Sequence, residues 1–342
     1  MKNILKKIFV DGFRGMTLGM FATLILGTAV CQIGAWIGGN AGAYLYAVGN
    51  IARTLTGAGI GVGVAAMYKA NSLVTVSAAV AGMAGAFHGM AGVTLGMAGE
   101  PLGAFIAAYI AIQIGMLVAG RTSLSIIITP VVSILTGTLV GYFAGPYITG
   151  FLYWLGSFAN YNVAQSPVVG GLIVSVLFGI FAVMPVNLLS IASSLNLSGV
   201  AAGAATIGVC CSMTAFAVAG YKENKIGGVL ALGFGSPMLE FPNILKRPLI
   251  WVPSIIVSAL LGPVGAALLH MTNTAMGACV GSLIMIGQFT TWQSMVPGTP
   301  GPIVIIEIVL MHFLLPGMLS LAISEAMRKL NWIKKGDMRL EA

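Results

Sequence analysis

The stretch from Ile226 to Pro253 reads IGGVLALGFGSPMLEFPNILKRPLIWVP, and it constrains how the surrounding chain can fold. It lies within nearly continuous apolar sequence, yet its glycines loosen a helix and its prolines each remove a backbone donor. Inside a bilayer, a broken backbone is tolerated only where protein or a water-filled cavity covers its polar groups. Interrupted apolar segments of this kind are typical of transporter binding sites. The alternative is an aqueous loop between two helices, which the dense flanking apolar sequence disfavours.

The overall composition is that of a polytopic helical membrane protein. Of the 342 residues, 58% are hydrophobic and 7% are charged, and the mean hydropathy is +1.00. Soluble domains carry roughly 25% charged residues, so the composition excludes a soluble globular protein. Several apolar runs reach the roughly 20 residues that a spanning helix needs. They lack the two-residue alternation of an outer-membrane barrel.

The net charge of +8 is concentrated near the two ends of the sequence. The clustered basic residues are Lys2, Lys6, Lys7 and Arg14, and then Arg328, Lys329, Lys334, Lys335 and Arg339. Both clusters flank apolar segments, which is the positive-inside pattern of cytoplasmic ends. We therefore predict that both termini are cytoplasmic, and we do not interpret the charge as nucleic-acid binding.

The pattern predicts an all-α fold with about ten transmembrane helices and two re-entrant hairpins. The predicted regions are a first helical half (1–145), an aromatic interfacial linker helix (146–162), a second half (163–326) and a basic cytoplasmic tail (327–342). Within the second half, the polar segment 185–199 and the Pro-rich segment 226–248 are the predicted hairpins, although each could be a broken span. Spans are expected at about 255–271 and 276–289.

Ionisable and amide side chains at membrane depth are the candidates for function, because burying them in lipid is costly. The ionisable candidates are Arg53, His88, Glu100, Glu240, His270, Glu307 and His312. For each histidine, the more ordinary interpretation is a satisfied core residue. We predict solute contacts at Ser236, Glu240, Asn243, Asn187 and Asn196, and gating or structural roles for His88 and Glu100. Neutral donors and acceptors of this kind suit a hydroxylated solute.

The sequence offers little support for metal, cofactor or covalent chemistry. Cys31, Cys210, Cys211 and Cys279 lie in apolar surroundings without metal-ligand spacing, so we expect small buried hydrophobes. No phosphate-binding loop or catalytic triad is recognisable. We therefore predict no catalytic residue, no metal and no cofactor.

Three segments carry a resemblance to a known family. They are GRTSLSIIITPVVSILTGTLVG (120–141), LNLSGVAAGAATIGVCCSM (195–213) and GSPMLEFPNILKRPLIWVP (235–253). Together with the predicted helix order, they resemble the enzyme IIC membrane components of the sugar phosphotransferase system, in the glucose superfamily. They are similar in particular to the enzyme IIC-like family that includes the perfringolysin O regulator. The resemblance implies a homodimer formed through the first five helices, a solute site in the second half, a bacterial plasma membrane and separate IIA and IIB phosphocarrier partners.

The resemblance departs from the sugar enzymes IIC at the residues expected to serve phosphorylation. It places Ser236 where those enzymes carry the Glu of a Glu-Pro pair, and the segment 185–199 contains no histidine. The chain has no recognisable phosphorylation site of its own, which leaves its enzyme status open. The leading hypothesis is a permease for a sugar or another small polar solute. The alternatives are a membrane-embedded solute sensor without transport, or an ion-coupled transporter without phosphorylation.

Overall fold

A computed structural model describes residues 7–87 and 93–340, and within them the chain is almost entirely helical. The contacts divide the chain into two units. The first unit holds residues 1–151 and 185–187, and the second holds residues 152–184 and 188–342. The change of unit at residue 151 falls inside the predicted linker 146–162.

Close helix packing through small residues characterises the first unit. Its helices are α1 (Val10–Ile37), α2 (Gly39–Thr54), α3 (Thr56–Met67), α4 (Ser72–Ala86), α5 (Pro101–Val118) and α6 (Ser125–Gln165), the last of which continues into the second unit. A Cβ atom on Gly15 would lie 2.5 Å from the carbonyl oxygen of Gly63, so α1 and α3 meet backbone to backbone. Helices in lipid associate through such small-residue contacts.

Helix α6 differs from the sequence prediction of a span followed by a separate linker helix. It is one helix of 41 residues with Pro130 and Pro146 inside it. A proline removes one backbone donor from a helix, and the helix can continue where neighbouring groups satisfy the freed carbonyl. The aromatic segment 146–162 is therefore an extension of the preceding helix.

The second unit is built around one buried helix. Its helices are α7 (Pro167–Val183), α8 (Leu188–Ser194), α9 (Gly199–Ala219), α10 (Tyr221–Val229), α11 (Phe241–Lys246), α12 (Val252–Pro263), α13 (Ala275–Val280), α14 (Ile286–Met295), α15 (Gly301–Val309) and α16 (Leu315–Lys329). Short π-helical turns extend α10 and α12 and join α15 to α16. Helix α9 is almost completely buried, and its Ile207 and Cys211 belong to a core cluster shared with α12, α14 and α15.

Helices α7 and α9 run parallel, which determines the form of the connection between them. The Ser212 hydroxyl donates to the Gly179 carbonyl at 2.9 Å, and one helical turn earlier Ser175 lies against Gly208. A connection between consecutive parallel helices must return along their length. The segment 185–199, which the sequence suggested as a re-entrant hairpin, is therefore a return connection that includes α8.

A re-entrant hairpin does occur later, at residues 275–295, and we call it hairpin B. It begins beside Asn273, whose amide donates to Thr206 Oγ1 near the Gly199 end of α9. Its tip lies halfway along α9, where the Ser282 backbone N–H donates to Met213 Sδ at 3.1 Å. Helix α14 then returns, and its Thr291 hydroxyl accepts from Asn273 at 2.8 Å. The span predicted at 276–289 is therefore two short helices that enter and leave at one end of α9.

A second hairpin, residues 221–247, enters from the opposite end of α9, and we call it hairpin A. Gly233 lies beside Ala217, and the ring of Phe234 stacks on Phe313 with a centroid separation of 6.2 Å. The chain then returns, and Glu240 lies close to Gly220 at the end of α9. The prolines and glycines singled out in the sequence do break the helix here, with the bend at residues 235–237.

Within the described residues, six helices are long and apolar enough to span a membrane. They are Val10–Ile37, Pro101–Val118, Ser125–Trp154, Gly199–Ala219, Pro248–Leu268 and Gly301–Lys329. Helices α3, α4 and α7 are apolar but shorter. These lengths and compositions support a polytopic membrane protein.

Candidate functional site

The tips of the two hairpins meet beside the half of α9 that ends at Ala219. Residues Leu230–Gly235 of hairpin A pack against residues Leu283–Met285 of hairpin B. At the second tip, Ile284 and Met285 have positive φ angles of 36° and 67°. Non-glycine residues seldom adopt such angles, and strained backbone of this kind clusters at functional sites. The meeting point of the tips is therefore the candidate functional site.

A cluster of neutral polar side chains lies next to the tip of hairpin B. Gln288 Nε2 donates to Ser282 Oγ at 2.9 Å and lies 3.4 Å from His312 Nδ1. The Ser282 hydroxyl in turn donates to Cys210 Sγ at 3.4 Å. We call these four residues the tip cluster. All four are buried, and the exposed fraction of His312 is 1%.

The tip cluster retains unused hydrogen-bonding capacity. Gln288 Oε1 and His312 Nε2 are both buried and have no partner among the described residues. Buried polar atoms are normally paired, and each exception calls for a reason. An amide oxygen and an imidazole nitrogen can each accept a hydrogen bond from a hydroxyl group. The imidazole nitrogen can instead donate one in its other tautomer. The cluster is thus chemically suited to neutral hydroxylated molecules.

Ser236 lies at the tip of hairpin A. Its hydroxyl accepts a hydrogen bond from the Met238 backbone N–H at 3.3 Å and caps the short 3₁₀ helix Pro237–Glu240. Its own backbone N–H donates to the Ala231 carbonyl at 2.8 Å. The side chain is buried, so in this conformation its hydroxyl serves the bend itself.

Glu240 and Asn243 lie on the returning arm of hairpin A, near the Ala219 end of α9. Glu240 is fully buried, and its Oε2 accepts from Asn243 Nδ2 at 2.8 Å. Burial raises the pKa of the Glu240 carboxyl to about 8; the Asn243 bond lowers it and the nearby Glu223 carboxylate raises it further. Asn243 also donates to the backbone carbonyl of Arg339 at 3.0 Å. These two predicted solute contacts are thus engaged with each other and with the C-terminal segment.

Asn196 lies at the opposite end of α9 from Glu240. It is exposed, with a positive φ of 48°, just before the helix begins at Gly199. The 21 residues of α9 separate its two ends by about 30 Å at 1.5 Å per residue. The structure therefore does not bring Asn196 together with Glu240.

The remaining predicted residues lie in the first unit or outside the described residues. The Asn187 amide donates to the Gly99 carbonyl at 2.9 Å. Glu100 is buried and caps α5, where its Oε1 accepts from the Leu102 backbone N–H at 3.4 Å. His88 lies outside the described residues. The gating or structural roles of His88 and Glu100 stay predictions.

Sequence reasoning missed Ser282 and Gln288, although it included His312 among the ionisable candidates. The signal was a set of polar residues in an apolar run, GSLIMIGQFTTWQS (281–294), preceded by the polar sequence HMTNT (270–274). It also missed Asn273, whose amide is satisfied by Thr206, Thr291 and the Gly287 carbonyl. Asn273 therefore anchors hairpin B.

The first unit contains an open apolar cavity of about 570 Å³. It lies along α3 and α4 and is lined by alanine, valine, methionine and phenylalanine side chains. Such a lining offers no hydrogen bonds to a polar solute, so the tip cluster remains the better candidate site.

Comparison with known proteins identifies the family. No match was found among curated proteins. A family model described as "Phosphotransferase system, EIIC" matches residues 10–340, nearly the whole chain. The six long apolar helices agree with a membrane component of that system. The chain therefore belongs to the phosphotransferase system EIIC family.

Proposed function

We propose that the protein is a plasma-membrane permease component that binds and translocates a sugar or a similar small polar solute. In this proposal the chain crosses a bacterial membrane about ten times and keeps both termini in the cytoplasm. The basic residues near both ends of the sequence support this orientation. Family membership supports a sugar as the class of solute and IIA and IIB proteins as possible partners.

One observation carries the proposal: two broken helical segments from opposite ends of α9 meet beside a buried neutral polar cluster. Broken helices that meet within the bilayer are a recurrent form of transporter binding site. The tip cluster offers an amide, an imidazole and hydroxyl and thiol groups, and it contains no carboxylate or cationic lysine or arginine side chain. Such a set favours a neutral, hydroxylated solute over an ion.

The test is solute uptake into proteoliposomes with a panel of radiolabelled monosaccharides and disaccharides. We expect saturable uptake of at least one sugar by the wild-type protein. Gln288→Leu removes both the donor to Ser282 and the unpaired acceptor, so it should abolish that uptake. The matched control is Gln113→Leu on α5, a partly buried glutamine whose Nε2 is also unpaired. Equal uptake by the two variants would remove the tip cluster from the site.

Phosphorylation coupling is tested in the same vesicles. We propose that any IIA and IIB partners are separate chains. We also propose that Ser236, which stands where the sugar enzymes IIC carry a Glu, makes transport less dependent on phosphoryl transfer. Uptake that ignores a phosphoryl donor but follows an imposed pH gradient would indicate ion coupling. Saturable binding without flux would indicate a sensor.

We also propose a homodimer formed through the first unit, as the family resemblance implies. Cross-linking of single cysteines placed on exposed positions of α2 and α6 would test it. Cross-links that form at similar positions on the second unit instead would contradict this arrangement.

A further inference from the structure

The C-terminal segment, residues 331–340, is bound to hairpin A through its backbone. The Glu223 carboxylate accepts hydrogen bonds from the backbone N–H groups of Gly336 at 3.2 Å and Met338 at 3.0 Å. The neighbouring Asn224 donates to the Met338 carbonyl at 2.6 Å and accepts from the Leu340 N–H at 2.9 Å. Adjacent side chains thus bind the main chain of residues 336–340, which is folded into turns.

The segment contacts both arms of hairpin A. On the returning arm, Asn243 donates to the Arg339 carbonyl at 3.0 Å, and Arg247 Nε lies 3.4 Å from Asp337 Oδ1. On the entering arm, Glu223 and Asn224 make the contacts described above. The segment therefore bridges the two arms close to the end of α9.

Burial and an ion pair fix this arrangement further. The exposed fractions of Ile333 and Met338 are 2% and 1%, so two apolar side chains anchor the segment. Arg328 donates to Glu223 at 3.0 Å and to the Ala219 carbonyl at 3.0 Å. The side chain of Glu223 is only 4% exposed, which protects its ion pair from solvent screening.

We propose that residues 331–340 form a strap that locks hairpin A against the end of α9 and must detach before the Ser236 tip can move. The same Asn243 Nδ2 group bonds Glu240 and the strap, so release of the strap also uncovers the buried carboxyl. The strap's role in transport rests on the proposed function, but the lock itself concerns the hairpin alone. A test of hairpin mobility can therefore fail or succeed independently of any transport result.

The experiment is amide hydrogen exchange, followed by mass spectrometry, on the full-length protein in lipid nanodiscs. The test variant is Ile333→Asp, which leaves the sequence of hairpin A untouched and places a carboxylate at a side chain that is 2% exposed. The cost of burying an unpaired charge opposes docking of this side chain. The matched control is Trp332→Asp, which makes the same charge change at a side chain of the segment that is 55% exposed.

For Ile333→Asp we expect exchange to accelerate about tenfold or more in residues 336–340 and also in residues 226–241, because the hairpin should open when the strap detaches. The control should stay within about twofold of the wild type in both regions. Faster exchange in residues 336–340 with unchanged exchange in 226–241 would overturn the lock. Unchanged exchange in both regions would overturn the docking of the segment itself.

Discussion

The two hairpins have similar shapes but are held in place in different ways. Hairpin B is anchored from inside the unit by Asn273, whose amide bonds three partners. Hairpin A is held at its base by main-chain atoms of residues 336–340, which come from a distant part of the sequence. An internal anchor cannot be removed without disturbing the core, whereas a bound segment can detach. We infer from this difference that hairpin B is the fixed wall of the proposed site and hairpin A its movable wall.

The largest effect is expected from removing the anchor of hairpin B. Asn273→Ala leaves Thr206, Thr291 and the Gly287 carbonyl without their buried donor. The amide carries two hydrogens and its partners keep other bonds, so at about 1–3 kcal/mol for each lost buried bond the variant should lose about 2–4 kcal/mol of stability. Thermal unfolding of the purified protein measures the loss. A melting temperature close to that of the wild type would contradict the fixed role of hairpin B.

Hairpin A should contribute a pH effect through Glu240. Burial raises the pKa of the Glu240 carboxyl to about 8, from about 4.3 for an unperturbed glutamate. Between these values the folded protein holds a proton that the unfolded chain releases, so stability falls as pH rises through this window and levels off above it. The charged neighbour is Glu223, itself paired with Arg328.

Glu240→Gln should remove the part of this dependence that comes from hairpin A. The measurement is the melting temperature of both proteins between pH 5 and pH 9, and we expect the wild type to show the steeper decline. Parallel curves would show that Glu240 does not couple protons to the stability of this hairpin.

A smaller loss of stability is expected when hydrogen bonds that hold residues 331–340 are removed. Asn224→Ala removes two hydrogen bonds to main-chain atoms of that segment, at a cost of about 1–2 kcal/mol. Because these bonds lie near the surface, the loss should be well below that of Asn273→Ala. A matched control is Lys222→Ala, which breaks an ion pair with Glu325. Because both side chains are exposed, this pair should contribute little to the free energy of unfolding. Equal losses for the two asparagine variants would remove the contrast between the hairpins.

The smallest effect is expected at the tip of hairpin A. Ser236→Ala removes the cap from a single short helical turn, which costs about 0.5–1 kcal/mol. If the hydroxyl turns towards the solute, the variant should lose more free energy of solute binding than free energy of unfolding. Comparing the melting temperature with the sugar affinity separates the two roles of Ser236.

Much of the fold could be predicted from composition, and the break in hairpin A from its prolines and glycines. Hairpin B could not, because residues 276–289 are as apolar as a span. Its turn also places Ile284 and Met285 at positive φ, and such angles are not predicted from isoleucine and methionine in a sequence. Residues 331–340 looked like a solvated basic tail. Their docking depends on Glu223 and Asn224, more than 100 residues earlier in the chain.

The candidate site was predicted only in part for the same reason. The sequence indicated Ser236 at a helix break and included His312 among the buried ionisable residues. It could not show that Ser282 and Gln288 lie beside His312, because the turn of hairpin B brings them there. Local polarity indicated candidate side chains, whereas the pairing of distant elements decided which of them meet.

The most direct measurement is hydrogen exchange with and without a saturating concentration of the sugar that the proteoliposomes accumulate. If the solute binds where the tips meet, exchange should slow together in residues 231–237 and 281–288. The tip cluster variant Gln288→Leu should show no such slowing. Protection that appears only in the first unit, with both tips unchanged, would contradict a binding site between the hairpins.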